Sequence, residues 1–307
     1  MVQVFDQVYF DDGIRPIDEA QLSIASSAVL YGLSVYTVLP VHKSEAGTLL
    51  AFRITDHYQR LIQSARIMGI DTFEQHWSQD RFQAAVQSVI HANTIDSDVF
   101  VRATVHVSEH LPGTRSRGLQ SVLSIFVYTA EPLLPPAGAR LKTSVWRRIP
   151  DYAIPSRAKV NGAYVNSVLA KQDAIDSGYD DCVFLDASGH VCESSAANIF
   201  IVRDGVLITP NNTSDLLEGI SRRTILELAR GQGIECIERE VDLTELYVAD
   251  EVFLCGTSAY ITPITAIDAR PLGAPVPGPI TKQLQQQYRD VLHGKNTALK
   301  SYVTELS

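Results

Sequence analysis

Residues 98–107, DVFVRATVHV, carry apolar side chains at every second position (Val99, Val101, Ala103, Val105), the period of a strand with one face in a core. The run VLSIFVYTA after it predicts a second strand, and QVYFDDGIRPI near the start predicts a hairpin turning at Asp12-Gly13. Between these the period changes. In TDHYQRLIQSARIMGI, Leu61, Ile62, Ala65 and Met68 share one helical face behind Thr55, a side chain able to cap the first turn. A second helix is expected over 81–92. Downstream the pattern predicts a helix over 162–177, strands DCVFLD, ANIFIV and VLITP, and a helix over 221–230. Strands IECIER and EVFLCG and a last helix over 280–292 follow. Strands and helices mix without strict alternation, which points to an α+β fold rather than a doubly wound sheet.

EPLLPPAGA, residues 131–139, separates the two series with three prolines and a glycine. Such a stretch punctuates a chain rather than extending a strand. It predicts a smaller N-terminal α/β domain over 1–130, a linker over 131–139 and a larger C-terminal domain over 140–307. A length of 307 residues is enough for two cores. The net charge of -9 argues against a nucleic acid or an anionic membrane surface as partner. No apolar run reaches the roughly 20 residues of a membrane span, and no export signal is visible at the N-terminus. Cys182, Cys192, Cys236 and Cys255 form no CxxC pair, the usage expected of reduced thiols in a cytoplasmic protein.

HVSEH, His106 to His110, matches an inverted zinc-protease pattern. That pattern needs a helix, whereas here it runs out of an alternating strand, which would hold the two imidazoles about 13 Å apart. No metal site is expected. The glycine fingerprints of dinucleotide and P-loop sites are absent. Four other features carry chemistry. Lys159, one of seven lysines, sits among small and apolar neighbours in SRAKVNGAYVNSVLAK. Glu193 lies between a turn and a buried-looking strand, either at a surface edge or buried beside a cation. Gly219, Ile220 and Ser221 open a helix whose first amides suit an anion, although a plain capping serine reads the same way. Gly256, Thr257, Ser258 and Ala259 form a second small-polar turn after a strand. With Arg60 on an upstream helix, these are the parts pyridoxal 5'-phosphate requires: an amine, a carboxylate for the pyridinium nitrogen and an anion cradle.

The chain resembles the fold-type IV pyridoxal-phosphate enzymes and, within them, the branched-chain amino-acid aminotransferases. The likeness covers about residues 5–292. It rests on VLYGLSVYTV, DHYQRLIQSA, AKVNGAYVNSVLAKQDAIDSGYDDCVFLD, GHVCESSAANIF, LLEGISRRTI and LYVADEVFLCGTSAYITPI, in that order. The resemblance implies a two-domain, D-amino-acid-aminotransferase-like fold with the cofactor at the domain interface. It implies ping-pong transfer from a hydrophobic L-amino acid to a 2-keto acid such as 2-oxoglutarate through a Lys159 aldimine. It makes Lys159 the Schiff-base lysine, Glu193 the partner of the pyridine nitrogen and Tyr164 the phenol on the cofactor's 3'-oxygen. Leu217 packs on the ring, and Arg60, Gly219, Ile220, Ser221, Gly256 and Thr257 hold the phosphate. Tyr31, Tyr36, Val38, Phe100, Arg102, Ser258 and Ala259 would face the substrate. A homodimer or higher homo-oligomer is implied, with Tyr31 and the 108–118 loop reaching the neighbour's pocket.

The substrate side departs from the family pattern. Thr37, Val38 and Pro40 stand where Glu, Gly and Arg are usual, and Phe100 replaces a tyrosine. Arg115 and Arg117 appear in the 108–118 loop, either to replace a lost carboxylate contact or as solvated charges. A same-fold transaminase for D-amino acids or (R)-amines, aminodeoxychorismate lyase, and a non-catalytic binder that keeps the fold are the alternatives.

Overall fold

A computed structural model of the chain describes residues 2–110, 113–273 and 275–306. Leu111 and Pro112 of the 108–118 loop lie outside the described residues. The structure comprises two compact units, one of Met1–Glu131 with Ala158–Gly162 and Val291–Ser307, the other of Pro132–Arg157 with Ala163–Asp290. The units therefore run differently from the expected 1–130, 131–139 and 140–307. The segment around Lys159 and the C-terminal residues both bond to the first sheet, and Leu134 in the expected linker is buried in the second core.

The first unit contains β1 (Gln7–Phe10), β2 (Gly13–Pro16), α1 (Ser27–Tyr31), β3 (Ser34–Lys43), β4 (Leu49–Phe52), α2 (Ile54–Ile67), α3 (Asp71–His76), α4 (Gln79–Ala92), β5 (Val99–Val107) and β6 (Ser121–Thr129). The second contains β7 (Ala139–Thr143), α5 (Tyr164–Asp176), β8 (Asp181–Leu185), β9 (Val191–Ser194), β10 (Asn198–Arg203), β11 (Val206–Thr209), α6 (Ile220–Gly231), β12 (Cys236–Glu238), α7 (Leu243–Leu246), β13 (Glu251–Gly256), β14 (Tyr260–Ile267), β15 (Arg270–Pro271) and most of α8 (Pro279–Leu292). A final strand, β16 (Val303–Leu306), returns to the first unit.

The first sheet is antiparallel, in the order β16-β4-β3-β5-β6-β1-β2. The alternating residues Val99, Val101, Ala103 and Val105 are all fully buried. The hairpin turns one position earlier than expected. Phe10 pairs Gly13, and Asp11 takes the left-handed conformation at φ 64°. Helix α2 starts at Ile54, before Thr55. No side chain caps it, because Arg53 at φ 46° ends the preceding strand, with its guanidinium 4.4 Å from the Tyr302 ring.

The second sheet has nine strands in the order β12-β11-β10-β13-β14-β7-β8-β9, with β15 on β14. One further pairing, Asn198 on β10 opposite Glu193 on β9, joins six of them into a closed ring. Its interior is aliphatic, with Leu141, Val183, Ile199, Ile201, Leu254 and Ile264 all essentially solvent-free. Helix, antiparallel and parallel strands coexist in this unit, as an α+β assignment requires.

His106 lies in β5 and not on a helix, and its two ring nitrogens face Ser34 Oγ (3.3 Å) and Ser124 Oγ (2.9 Å). Burial, with the Arg102 charge second, holds its pKa down at about 4, below the ordinary 6.5. Between those values the unfolded chain binds a proton that the folded chain excludes, so the stability present above pH 6.5 drains away as the pH falls towards 4. The loss from this one group is about 2 kcal/mol, allowing for its partial exposure. Urea unfolding at neutral and mildly acid pH measures it, and His106→Gln is expected to flatten that part of the pH dependence.

Candidate active site

The sequence-predicted residues fall into two groups, one in each unit. In the first, Lys159 sits in the short segment Ala158–Gly162, ahead of α5 rather than on it. Its backbone is held from both sides. The Lys159 N–H donates to Ser64 Oγ (3.1 Å), and its carbonyl accepts from the Tyr36 N–H (3.0 Å). Val160 bridges Val35, and the Asn161 N–H donates to the Ser34 carbonyl (2.9 Å). The segment thus behaves as a short extra strand on β3, whose pairing with β4 starts only at Val41 and leaves that edge open. The close approach is made between two glycines. A Cβ on Gly32, at φ 64° after α1, would stand 3.0 Å from Gly162 Cα.

One face of this sheet gathers the substrate candidates. Tyr36 pairs Thr104, Val38 pairs Arg102 and Pro40 pairs Phe100, so their side chains alternate onto a common side. The Tyr36 ring is the centrepiece, with Lys159 Nζ 4.8 Å and Arg102 Cζ 3.7 Å from its centroid. Arg102 also donates to Asn161 Oδ1 (3.0 Å). Phe100 is buried and tilted against Tyr128, while Tyr31 is half-exposed and its hydroxyl accepts from the Gly113 N–H (3.2 Å). Arg115 and Arg117 are both exposed.

Thr37 faces the other way. It is wholly buried, and its hydroxyl meets His57 Nδ1 at 2.8 Å and accepts from Arg60 Nη2 at 3.3 Å. The replacement of the usual glutamate therefore anchors Arg60 rather than lining the substrate face. Strand alternation alone separates 37 from 36 and 38, but nothing in the sequence singles out His57.

In the second unit, Glu193 is buried at the seam of the ring. Its Oε1 lies 2.9 Å from Arg148 Nε, with the two side chains 9% and 12% exposed. Oε2 accepts from Asn198 Nδ2 (3.3 Å) and from the Leu217 N–H (3.2 Å). A buried carboxylate demands a cationic partner. The sequence leaves burial of Glu193 as one of two alternatives, and it does not point to Arg148, 45 residues upstream. Asn198 also donates to the Leu217 carbonyl (3.0 Å), fixing the loop that carries Leu217 and Gly219.

Gly219 precedes α6, which no side chain caps. A Cβ at Gly219 would run into Asn198 Oδ1, so only glycine lets the loop lie this close. Its φ of -68° is ordinary, hence Gly219→Ala should act through that collision alone. A loss of about 1–3 kcal/mol is expected in a thermal melt, together with weaker cofactor retention because Asn198 must release Glu193 or Leu217. Ile220 and Ser221 open the helix, and Ser221 Oγ lies 2.9 Å from the Tyr288 hydroxyl. Gly256 ends β13 with Thr257 and Ser258 following, half-buried; Ala259 is buried, and the Ser258 carbonyl accepts from the Leu133 N–H (3.2 Å). Tyr164 is the half-buried first residue of α5.

The donor chemistry fits pyridoxal phosphate. It comprises an amine on an anchored backbone, one buried carboxylate paired with an arginine, and an uncapped helix N-terminus approached through a glycine whose Cβ would collide with Asn198. An α+β chain with these parts has the makings of a cofactor-dependent group-transfer enzyme. Comparison with known proteins gives the family. The family model for amino-transferase class IV matches residues 34–267. A probable branched-chain-amino-acid aminotransferase of Aquifex aeolicus is 36% identical over 302 residues, covering 97% of this chain and 96% of its own. The crystal structure of a branched-chain aminotransferase from Thermoproteus uzoniensis with norvaline superposes with a TM-score of 0.94 at 34% identity, covering 99% of this chain and 100% of the other. The PLP form of the Thermobaculum terrenum branched-chain enzyme gives 0.90 at 32% identity, covering 99% of each. The chain belongs to the class IV amino-transferase family, and its fold is the fold-type IV architecture that the motifs imply.

Proposed function

We infer that this chain is a pyridoxal-phosphate-dependent transaminase that moves the amino group of a branched-chain L-amino acid to a 2-keto acid such as 2-oxoglutarate. The observation that carries this reading is the end-to-end likeness to branched-chain aminotransferases, 97% of the chain at 36% identity. When bound, pyridoxal phosphate supplies an aldehyde for the amine to condense with and a ring that accepts an electron pair. The protein's part is positional. Lys159 Nζ, on a backbone bonded on both sides, would move the proton from the substrate Cα to the cofactor's C4' carbon. Glu193 would hold a proton on the cofactor's ring nitrogen, with Arg148, Asn198 and the Leu217 N–H pairing and orienting its carboxylate. Arg60, Ile220, Ser221 and Thr257 would hold the phosphate, with Gly219 and Gly256 letting the backbone approach; Leu217 would face the ring and Tyr164 the 3'-oxygen. Val38, Phe100 and Tyr36 offer apolar surface to the substrate side chain, while Arg102 beside Tyr36 is the cation for a carboxylate. Ser258 and Ala259 complete the substrate-facing set.

The test is a single half-reaction. The cofactor-loaded protein is mixed separately with L-leucine, D-alanine and (R)-1-phenylethylamine without acceptor, and the cofactor absorbance is followed. Bleaching by L-leucine alone supports the reading. Bleaching only by the D-acid or the amine overturns it and assigns Val38, Pro40 and Phe100 to a different substrate.

We further propose a homodimer. Exposed apolar side chains support it, Ile24, Val29 and Leu30 in the first unit and Tyr152, Val165 and Val168 in the second, because an oligomer interface would cover such side chains. Light scattering on the purified protein decides it. No helix among the described residues is long and apolar enough to cross a membrane. The free thiols, three of them buried, support a reducing, cytoplasmic setting.

A further inference from the structure

His42 ends the buried run of β3, Asp98 immediately precedes β5, and His293 follows α8 in the C-terminal segment. All three belong to the first unit. One ligand atom from each lies within 4.8 Å of the other two. We propose that these residues bind a divalent cation of the zinc class. None of the three takes part in the amino-transfer reading, so the site stands apart from it.

The inference rests first on how the side chains are oriented. The Lys43 carbonyl meets His293 Nδ1 at 3.1 Å. A carbonyl can only accept, so Nδ1 carries the hydrogen and Nε2 keeps its lone pair. The Lys43 N–H donates to Asp98 Oδ1 at 2.8 Å, which leaves Oδ2 as the forward oxygen, 2.9 Å from His42 Nδ1. One backbone residue thus fixes two of the three candidates by the outer bonds that ligating side chains characteristically make. The third, His42, is held by burial at 2% exposure, with its ring centroid 5.0 Å from that of His293.

The donor set then selects the ion. Two imidazoles and one carboxylate suit zinc and its borderline neighbours, whereas calcium and magnesium prefer oxygen throughout. Ligand atoms around a tetrahedral zinc stand about 3.3 Å apart, within reach of small ring rotations from the observed spacings. Asp98 is 40% exposed, which gives the ion an entry path and a water as fourth ligand.

The expected consequence is structural. His293 belongs to the segment that carries β16 back to β4, and a second tie, the Lys295–Glu45 ion pair at 2.8 Å, lies beside it. A cation would fasten this segment to β3 and to the start of β5.

The experiment uses the full-length, cofactor-loaded protein after chelator treatment and dialysis. Titration with Zn2+ is expected to saturate at one ion per chain and to raise the melting temperature by about 5 °C. Co2+ should bind with the visible absorption of a low-coordinate nitrogen and oxygen site. His293→Gln and Asp98→Asn, both on accessible side chains that spare the core, should each weaken Zn2+ binding by about tenfold or more. His91→Gln, at the exposed end of α4, should not. Failure to saturate near one ion per chain overturns the proposal, and so does binding unchanged in both variants. The cluster would then be a hydrogen-bonded His–Asp–His group only.

Discussion

Lys159→Ala is expected to abolish amino transfer, lowering kcat by about 10⁴-fold or more, because in the proposed reaction one nitrogen both anchors the cofactor and moves the Cα proton. The fold should survive the change. Lys159 is half-buried, and the bonds that hold its segment to Ser64, Tyr36 and Ser34 are backbone bonds that alanine keeps. The variant should therefore melt close to the parent and bind pyridoxal phosphate reversibly, without the absorbance of a covalently held cofactor. A spectrum and a melt on the same sample separate this from simple misfolding. Unchanged activity would remove Lys159 from the chemistry altogether.

Glu193→Ala should damage stability and turnover together. The side chain is buried against Arg148, so its removal leaves a guanidinium without its nearby counter-charge, a cost of about 3 kcal/mol. The Leu217 N–H and Asn198 Nδ2 lose an acceptor at the same time. Turnover should fall by about 10²–10³-fold, the usual effect of deleting one preorganised electrostatic partner. Glu193→Gln is the informative companion. It keeps the volume and an acceptor oxygen but not the charge, so it should recover most of the thermal stability while remaining slow. Equal recovery of both would assign Glu193 a scaffolding role only.

The elements legible in the sequence were those with one wet face or a clear stop. β5, α2 and α4 declare themselves through period and turn residues, whereas the setting of Glu193 leaves a surface edge and a buried, cation-paired site both open. β3 does not. It is buried on both sides and carries Pro40, which argues against an interior strand. The structure accommodates that proline because pairing with β4 begins only at Val41. The same open edge receives Lys159, so the feature that hid the strand also positions the amine. The 131–139 stretch is less legible for a related reason. Its prolines signal a break, but Leu134 is buried in the second core, and burial of one leucine in a turn-rich stretch has no periodic signature. Arg148, His57 and Asn161 stayed invisible because each is defined by a partner distant in sequence.

The first unit is assembled from three separate stretches of chain, and this limits how the protein can be taken apart. A fragment ending at Glu131 would contain six of the seven strands of its sheet but neither β16 nor the Ala158–Gly162 segment. Two lengths of strand edge, on β4 and on the first half of β3, would then be bare and apolar, the kind of surface that recruits other chains. Expressed alone, such a piece should aggregate rather than fold. A circular permutant that opens the 108–118 loop, by contrast, keeps every stretch in covalent reach of its sheet and is the sounder way to probe the halves.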